Sequence, residues 1–414
     1  MPESPAIVIG AGIIGTCVAR ALQRTGRTVT LVDADAPGSG TSFGNAGYIA
    51  YNYVSPLARA DKLLQVPGML LDGDAPLNIR WRSLPSILPW MLRFAWATRR
   101  GQVARGSRAL ACLSRDTNAA WRVEQQASGL GELFRSRGAV YAYTTDAAFH
   151  GDAHERQMEQ ANGVRMEILD SAALRKLVPG ISDDVKHGVH LPDGMHTLNP
   201  HRTVTTLAER FAADGGRIER ARVEGFELVG NEVVAVRTTD GRLAASAVVI
   251  AAGRASRELA PHLGFKAPLI AERGYHVMLD PDGIGFDVPV TWAERGFFIT
   301  PMEHGLRLAG TVELATPEAP PTWHRADLLD RQARKLFPAL RGRELSRWMG
   351  MRPTLPDYVP AIGRAPHQRN VYCAYGHQHL GLTYAAVTAR HIASLMDGGS
   401  LPDDLAGCDP ARFG

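Results

Sequence analysis

Two glycine-rich turns stand near opposite ends of this sequence, and each leads into an expected helix. The first is G-A-G-I-I-G at 10–15, which follows the apolar run A-I-V-I at 6–9. The second is G-H-Q-H-L-G-L-T at 376–383, which opens the expected helix 382–396. Glycine lets a backbone approach a ligand closely, and the N–H groups at a helix N-terminus attract phosphate and other anions. The two turns together predict one elongated anionic ligand that both ends of the chain bind.

The N-terminal turn has the G-x-G-x-x-G spacing of a dinucleotide site. Gly10 permits the tight turn, Gly12 lets the backbone approach a pyrophosphate, and Gly15 lets the helix pack on the strand. A second strand, 28–32, ends at Asp33, where a carboxylate accepts a hydrogen bond from a ribose hydroxyl. FAD is long enough to need contacts from both ends of the chain. In this motif we expect cofactor contacts from Gly10, Gly12, Ile13, Ile14, Gly15, Asp33 and Ala34.

Further small and polar residues suit the same ligand. The run T-S-F-G-N-A-G at 41–47 combines small side chains with hydrogen-bonding groups, although a flexible surface loop is the alternative. The apolar strand A-V-V-I at 247–250 ends in A-A-G, and an expected hairpin at 222–237 precedes it. We expect cofactor contacts here from Thr41, Ser42, Asn45, Ala46, Gly47, Val223, Ala251, Ala252 and Gly253, and in the C-terminal turn from His377, Gln378, His379, Leu380, Gly381, Leu382 and Thr383.

With these motifs in this order, the sequence resembles flavoproteins of the D-amino-acid oxidase superfamily, in particular bacterial D-amino-acid dehydrogenases. The resemblance extends over nearly the whole chain and includes R-G-Y at 273–275 and W-M-G-M-R-P at 348–353. The Gln378–His379 pair also resembles the subgroup that acts on D-hydroxyproline-type substrates. The resemblance implies an α/β fold, α+β overall, with a Rossmann-like FAD-binding domain and an inserted antiparallel-sheet substrate domain. We expect FAD to bind non-covalently, because no cysteine or histidine lies in a recognised attachment context, although His377 and His379 lie near the expected flavin.

The length and the order of the expected elements predict two discontinuous domains. We assign 1–55, 200–265 and 345–414 to the FAD-binding domain, and 56–199 and 266–344 to the substrate domain. In the latter we expect strands at 275–279, 296–300 and 306–313, and helices at 116–128, 153–162 and 325–336.

Composition excludes several classes of protein. The net charge of +4 is small for 414 residues, and no basic block favours nucleic acid. The four cysteines (Cys17, Cys112, Cys373 and Cys408) are far apart and form no C-x-x-C, so we expect no disulfide framework and no metal site. A reducing cytoplasm fits this pattern, and the first strand begins too early to leave room for a signal peptide.

The segment 81–100 has two interpretations. It is rich in tryptophan and leucine but contains Pro85, Pro89 and Arg93, so it does not suit a membrane-spanning helix. We favour a buried helix of the substrate domain. The alternative is a peripheral contact with the inner face of the membrane that supplies quinone, because tryptophan beside arginine suits an interface. Quinone or another carrier is the expected electron acceptor, and the sequence leaves the oligomeric state open.

Arg352 is the residue that we expect to bind the substrate, and we also count it among the expected cofactor contacts. A guanidinium holds a carboxylate through two hydrogen bonds and keeps its charge, and Pro353 disfavours helix at Arg352. The resemblance implies the same role for the arginine of its G-x-R-P motif. Three further residues are expected substrate contacts with a structural role as the alternative: His379, Tyr275 and Tyr48.

We therefore expect FAD-dependent dehydrogenation of a D-amino acid or a cyclic imino acid such as D-proline or D-hydroxyproline, with hydride transfer from the α carbon to flavin N5. Two alternatives stay open. One is an oxidase of the glycine or sarcosine type that produces hydrogen peroxide. The other is a protein that binds FAD without catalysis, against which Arg352 beside the C-terminal turn argues.

Overall fold

A computed structural model describes residues 4–414 of the chain. The helices are α1 Ile13–Arg24, α2 Ala60–Leu71, α3 Leu84–Ala97, α4 Arg100–Ser128, α5 Asp146–Gly151, α6 Ala153–Ala161, α7 Ser171–Leu177, α8 Pro200–Ala213, α9 Ser256–Leu259, α10 His324–Leu336 and α11 Gly381–Met396. The strands are β1 Ala6–Ile9, β2 Val29–Asp33, β3 Tyr48–Ile49, β4 Leu77–Ile79, β5 Phe134–Arg135, β6 Ala139–Tyr143, β7 Glu167–Leu169, β8 His187–Leu191, β9 Met195–Thr197, β10 Arg217–Arg220, β11 Val223–Val229, β12 Glu232–Thr238, β13 Gly241–Ala244, β14 Ala247–Ile250, β15 Ile270–Leu279, β16 Val290–Trp292, β17 Phe297–Met302, β18 Gly305–Leu314, β19 Glu344–Thr354, β20 Ala361–Arg364 and β21 Val371–Tyr375.

A parallel sheet with the order β10-β2-β1-β14-β21-β20 joins segments from both ends and the middle of the chain. Its neighbours are parallel except β20, which runs antiparallel to β21. Helices α1, α8 and α11 pack on one face, and the hairpin sheet β11-β12-β13 covers the other. A strand that is covered on both faces needs continuous apolar residues, and β1 and β14 have them. The Rossmann-like expectation is confirmed.

A larger sheet has the order β19-β15-β18-β17-β16-β6-β8-β7, with β4 beside the end of β18. It contains the strands expected at 275–279, 296–300 and 306–313, which pair antiparallel as β15, β17 and β18. The assignment of 345–354 to the FAD-binding segments does not match this pairing, because β19 lies along β15 over its length. The division into domains itself stays a prediction.

Helix α3 corrects the expectation of a buried helix at 81–100. One face is buried through Ile87 and Trp90, as expected. The opposite face is not buried, since Leu92 is 65% exposed and Trp96 49% exposed. Within residues 4–414, no helix combines the length and the apolar character that crossing a membrane requires.

Candidate active site

The N-terminal turn is built so that only glycine fits at two of its positions. Gly10 has a φ of +109°, and a Cβ there would lie 2.4 Å from the carbonyl oxygen of Ala251. A Cβ on Gly15 would lie 1.8 Å from the carbonyl oxygen of Gly10. Gly12 is different, because its Cβ would approach only Ser42 Oγ, at 3.2 Å. Gly12 therefore faces an open side of the turn, at the N-terminus of α1.

Asp33 orders this turn from the end of β2. Its Oδ2 accepts a hydrogen bond from the Ala11 N–H at 2.6 Å. Its Oδ1 accepts from the Asp35 N–H at 3.0 Å, which closes a short turn that contains Ala34. The Ala221 N–H donates to the Asp33 carbonyl at 2.8 Å, which brings the start of β11 at Val223 to the same edge. Ala251, Ala252 and Gly253 follow β14 directly beside Gly10.

The loop 41–47 is held in place by the large sheet. Arg307 Nη1 donates to the carbonyls of Phe43 at 3.1 Å and Asn45 at 2.7 Å. His276 Nδ1 lies 3.2 Å from the Gly44 carbonyl. Burial lowers the pKa of Arg307 to about 10 and that of His276 to about 3, so the first is a cation and the second neutral near pH 7. Sequence reasoning missed both residues, because isolated polar residues in an apolar strand do not reveal their partner.

The polar side chains of this loop bond within the protein. Thr41 Oγ1 donates to the Met351 carbonyl at 2.9 Å, and Asn45 Oδ1 accepts from the Gly47 N–H at 2.8 Å, across Ala46. Ser42 Oγ accepts from the Ile13 N–H at 3.0 Å. These contacts fix the shape of the loop and connect it to the start of α1, which continues through Ile14.

The C-terminal turn meets the N-terminal one. A Cβ on Gly381 would lie 4.0 Å from Ile13 Cγ2, and α11 packs along α1. The Trp121 indole N–H donates to the carbonyls of Leu382 at 3.0 Å and Thr383 at 3.1 Å, which fixes the first turn of α11 after the buried Leu380. The Ala50 N–H, just after loop 41–47, donates to Thr383 Oγ1 at 3.0 Å. The two glycine-rich turns and the loop therefore border one region of the molecule.

Arg352 lies near the end of β19, opposite Glu272 of β15. Its Nη1 donates to Glu272 Oε1 at 2.9 Å and to the Thr311 carbonyl at 3.2 Å. Among residues 4–414, no protein group accepts from its Nε or Nη2. The guanidinium lies across Gly274, where a Cβ would stand 2.4 Å from Nη2. One edge of the guanidinium is thus engaged by the protein, and the other is available to a carboxylate.

Glu272 is buried and receives hydrogen bonds from three side chains. Besides Arg352, the Tyr358 hydroxyl donates to its Oε2 at 2.9 Å and the Thr354 hydroxyl donates at 3.2 Å. Burial raises the pKa of Tyr358 well above its usual value, so this hydroxyl stays protonated and donates. No motif pointed to Glu272; the pairing of β15 with β19, which sequence reasoning did not predict, brings it beside Arg352.

Backbone strain concentrates around the same pair. Within residues 4–414, the non-glycine residues with positive φ are Thr311 at 57°, Tyr358 at 57° and Gln378 at 48°. The Thr311 carbonyl accepts from Arg352, and Gln378 Nε2 donates to the Tyr358 carbonyl. Residues in sparsely populated backbone regions cluster at functional sites, where the surroundings hold them. This distribution marks the surroundings of Arg352 and Glu272 as a candidate active site.

His379 lies beside this pair. Burial lowers its pKa to about 4, with a further contribution from the charge of Arg352, so the imidazole is neutral near pH 7. Its ring packs edge-on against Tyr53, with 5.2 Å between ring centroids. The Tyr53 hydroxyl is buried and, among the described residues, has no hydrogen-bond partner. Sequence reasoning missed Tyr53; the aromatic run Y-I-A-Y-N-Y at 48–53 was the available signal.

Three other residues that were expected to contact substrate or cofactor form hydrogen bonds within the protein instead: Tyr275, Tyr48 and His377. Tyr275 points to the opposite face of the large sheet, where its hydroxyl donates to Glu313 Oε2 at 2.6 Å and accepts from the Thr322 N–H at 2.8 Å. We therefore leave Tyr275 out of the site. The Tyr48 hydroxyl donates to Asn52 Oδ1 at 3.1 Å, and His377 Nε2 lies 3.0 Å from Thr388 Oγ1. The contact of Tyr48 agrees with its structural alternative, and the contact of His377 gives that ring a partner within the protein.

Comparison with known proteins identifies the family. The profile of the DAO family, described as FAD dependent oxidoreductase, matches residues 6–395. The chain belongs to this family. It is 34% identical over 423 residues to a D-amino-acid oxidase of Bradyrhizobium diazoefficiens, with 100% of both chains covered. It is 35% identical over 406 residues to D-amino acid dehydrogenase 2 of Pseudomonas aeruginosa, with 93% of both covered.

Solved structures with the same fold include enzymes of amino-acid oxidation. L-proline dehydrogenase from P. horikoshii has a TM-score of 0.79 at 21% identity, with 100% of this chain and 98% of that chain covered. Glycine oxidase from Bacillus cereus has a TM-score of 0.75 at 20% identity, with 98% of both covered. These likenesses confirm the fold.

The residues present fit FAD. At the N-terminal turn, Gly12 presents backbone without a side chain, and Ser42 Oγ accepts only from the first N–H of α1, that of Ile13. The N-cap residue of helix α11, which begins at Gly381, makes no side-chain capping hydrogen bond. The two helix N-termini can accept the pyrophosphate at one end and the electron-rich flavin edge at the other. The protein is an FAD-dependent oxidoreductase.

Proposed function

We propose that this oxidoreductase acts on the Cα–N bond of a D-amino acid or a cyclic imino acid of the D-proline or D-hydroxyproline type. The observation that carries the proposal is the guanidinium of Arg352, whose Nη1 is held by Glu272 while its other edge is available. A planar guanidinium edge matches a carboxylate. The names of the relatives, oxidase and dehydrogenase of D-amino acids, support the class of substrate.

The groups around Arg352 suit binding and orientation rather than proton transfer. Arg352 holds the α-carboxylate through Nη2 and Nε, which fixes the Cα–H direction. Neutral His379 and the Tyr53 hydroxyl offer hydrogen bonds to the amine end of the substrate. When bound, FAD supplies the acceptor for the hydride that leaves the α carbon. The substrate reacts with its amine neutral, after losing a proton to solvent, so that loss of hydride leaves an iminium ion, which water hydrolyses outside the site.

Anaerobic reduction of the bound flavin tests this proposal. The holoenzyme is mixed with matched D- and L-amino acids, including the two enantiomers of proline, and loss of the yellow absorbance is followed. We expect D-enantiomers to bleach the flavin faster than their L-partners by on the order of a hundredfold, about 2.7 kcal/mol. Dithionite provides the control for a reducible flavin. Equal rates for both enantiomers, or no bleaching by any of them, would sink the proposal.

FAD is bound non-covalently in this proposal. The His377 ring is occupied by Thr388, and all four cysteines are buried. Acid precipitation of the holoenzyme should therefore release the yellow colour into the supernatant. Colour that stays with the pellet would indicate a covalent link.

For the electron acceptor we propose a carrier at the membrane surface, reached through the outer face of α3. That face exposes Leu88, Leu92 and Trp96, and the surrounding segment 81–100 contains four arginines and no acidic residue. Arg99 lies over the Trp96 ring, 5.5 Å from its centroid. Apolar residues beside arginines suit an anionic bilayer surface.

Oxygen is the second candidate acceptor, because one full-length relative is named an oxidase.

Two measurements separate the acceptors. Release of hydrogen peroxide during turnover favours oxygen, whereas turnover that needs an added quinone or dye favours a carrier. Sedimentation with phosphatidylglycerol vesicles tests the surface, with Leu92→Ser and Trp96→Ser expected to weaken binding. Val229→Ser is the matched control, because Val229 is 68% exposed and belongs to the separate sheet β11-β12-β13. Equal sedimentation of the three variants would contradict membrane contact through α3.

A further inference from the structure

Glu272 is a buried negative charge whose position serves Arg352. It is 1% exposed and directly opposite Arg352 in the pairing of β15 with β19. Its Oε1 accepts from Arg352 Nη1, and its Oε2 accepts from the hydroxyls of Tyr358 and Thr354. A carboxylate that is removed from water is tolerated only where partners satisfy it, and here three donors do so. These contacts leave the carboxylate one orientation.

The same contacts leave Arg352 one orientation. Nη1 is engaged by Glu272 and by the Thr311 carbonyl, and the missing side chain of Gly274 gives the guanidinium a flat surface to lie on. Rotation of the guanidinium would exchange a buried ion pair for an unpaired buried carboxylate. Nη2 and Nε are consequently presented to a ligand before it binds, which lowers the ordering cost of binding.

The pair also decides the charge of the site. Arg352 and Glu272 cancel, so a substrate that binds through its α-carboxylate with its amine neutral, the form that can lose hydride, leaves one negative charge in excess. His379 is neutral and adds nothing. The charged residues near Tyr53 cancel among themselves: Arg59 pairs with Asp61 at 3.0 Å and with Glu155 at 3.2 Å, and Lys62 lies 3.9 Å from Glu155. A second carboxylate on the substrate would therefore meet uncompensated negative charge.

We propose that Glu272 is a positioning residue that orients Arg352 for the substrate carboxylate and, through its charge, makes the site select substrates with a single carboxylate. The inference rests on the proposed function for the identity of the substrate as an amino acid. A purely structural ion pair would not discriminate between substrates whose side chains are equal in size but differ in charge. Glu272 should make the site favour the neutral side chain over the acidic one.

Wild-type holoenzyme provides the first test. D-Asn is compared with D-Asp, and D-Gln with D-Glu, by the rate of anaerobic flavin reduction at subsaturating substrate. Each pair differs by charge at nearly constant shape. Two like charges a few ångströms apart at the effective dielectric of a partly buried site predict a preference for the amide of on the order of tenfold or more. Equal rates within a pair overturn the proposal without any variant.

Glu272→Gln provides the second test, because glutamine keeps the size of the side chain and an acceptor for Arg352 Nη1 but removes the charge. We expect the preference for the amide to shrink at least about fivefold. Glu313→Gln is the matched control: Glu313 is equally buried and also paired with arginine, but it lies on the opposite face of the sheet. That variant should keep the wild-type preference. An unchanged preference in Glu272→Gln, or the same loss in both variants, overturns the proposal.

Binding of propionate and succinate, followed by the change in flavin absorbance, separates the two hypotheses. In one outcome, no D-amino acid reduces the flavin, but propionate binds more tightly than succinate and Glu272→Gln removes that difference. The proposed function then fails and the role of Glu272 stands. If D-amino acids reduce the flavin and neither test shows discrimination by charge, the proposed function stands and the role of Glu272 fails.

Discussion

The way in which Arg352 can bind a ligand depends on its neighbours as well as on its own side chain. Its type and its motif predict a carboxylate site, and the sequence supports that much. Which edge of its guanidinium faces the ligand depends on Glu272, Thr311 and the missing Cβ of Gly274. All three residues are 41 to 80 positions from Arg352 in the sequence, and only the pairing of β15 with β18 and β19 brings them together. Sequence motifs cannot report such pairing.

Arg352→Lys should impair substrate oxidation although the charge is kept. Lysine cannot present two coplanar donors to a carboxylate while it also bonds Glu272. We expect a loss of about 2–5 kcal/mol in transition-state stabilisation. The measurement is the rate of flavin reduction by substrate, with dithionite reduction and flavin content as controls. Near-normal reduction by substrate in the variant would move the carboxylate site elsewhere.

Gly274→Ala tests the surface on which the guanidinium lies. The added Cβ would stand 2.4 Å from Arg352 Nη2 and 2.5 Å from Cζ, so the side chain must leave its position. We expect KM to rise by on the order of tenfold or more, about 1.4 kcal/mol, with FAD content preserved. Gly285→Ala is the matched control, because nothing lies within 4 Å of its added Cβ. An unchanged KM in Gly274→Ala would contradict the orientation of Arg352 described above.

At the level of elements, local patterns predicted local structure well. Sequence patterns identified the apolar strands, the hairpin 222–237 and the helix expected at 325–336, which is α10 in the structure. Each of these signals lies within a few consecutive residues. Two predictions were incomplete for the same physical reason. The pairing of β19 with β15 and the exposed outer face of α3 depend on which distant segment packs beside each element, and periodicity does not encode that neighbour.

The turn between β1 and α1 yields a prediction that separates two glycines of one motif. Gly15→Ala should destabilise the fold, because its Cβ would lie 1.8 Å from the Gly10 carbonyl oxygen. Gly12→Ala should fold, since Gly12 has an extended backbone and its Cβ would meet only Ser42 Oγ at 3.2 Å. We expect the latter to weaken FAD binding at least about tenfold, roughly 1.4 kcal/mol. Melting temperature of the apoprotein and FAD titration are the two measurements; equal behaviour of the variants would refute the distinction.

For the whole molecule, buried neutral histidines set the response to acid. Burial lowers the pKa of five histidines to about 3 or 4: His196, His276, His377, His379 and His391. In the unfolded chain each has a pKa of about 6.5, so the unfolded state binds more protons as the pH falls below that value. Glu159 acts in the opposite sense, because burial raises its pKa to about 8 and its protonation favours the native state as the pH falls from 8. Burial also raises the pKa of Asp152, which acts in the same sense as Glu159. Five histidines outweigh these two carboxyl groups.

The holoenzyme should therefore lose stability as the pH falls from about 6.5 toward 4, by up to about 1.4 kcal/mol per pH unit for each histidine. Thermal melting at pH 7.5, 6.5, 5.5 and 4.5 measures this loss, with flavin fluorescence to detect release of FAD. His196→Leu supplies the internal check, because both nitrogens of that buried ring lack a partner among the described residues. This substitution should lower the number of protons taken up on unfolding by about one, so that stability falls less steeply with decreasing pH. The other four histidines should still take up their protons. A melting temperature that stays constant from pH 7.5 to 5.5 would show that these rings take up protons in the native state.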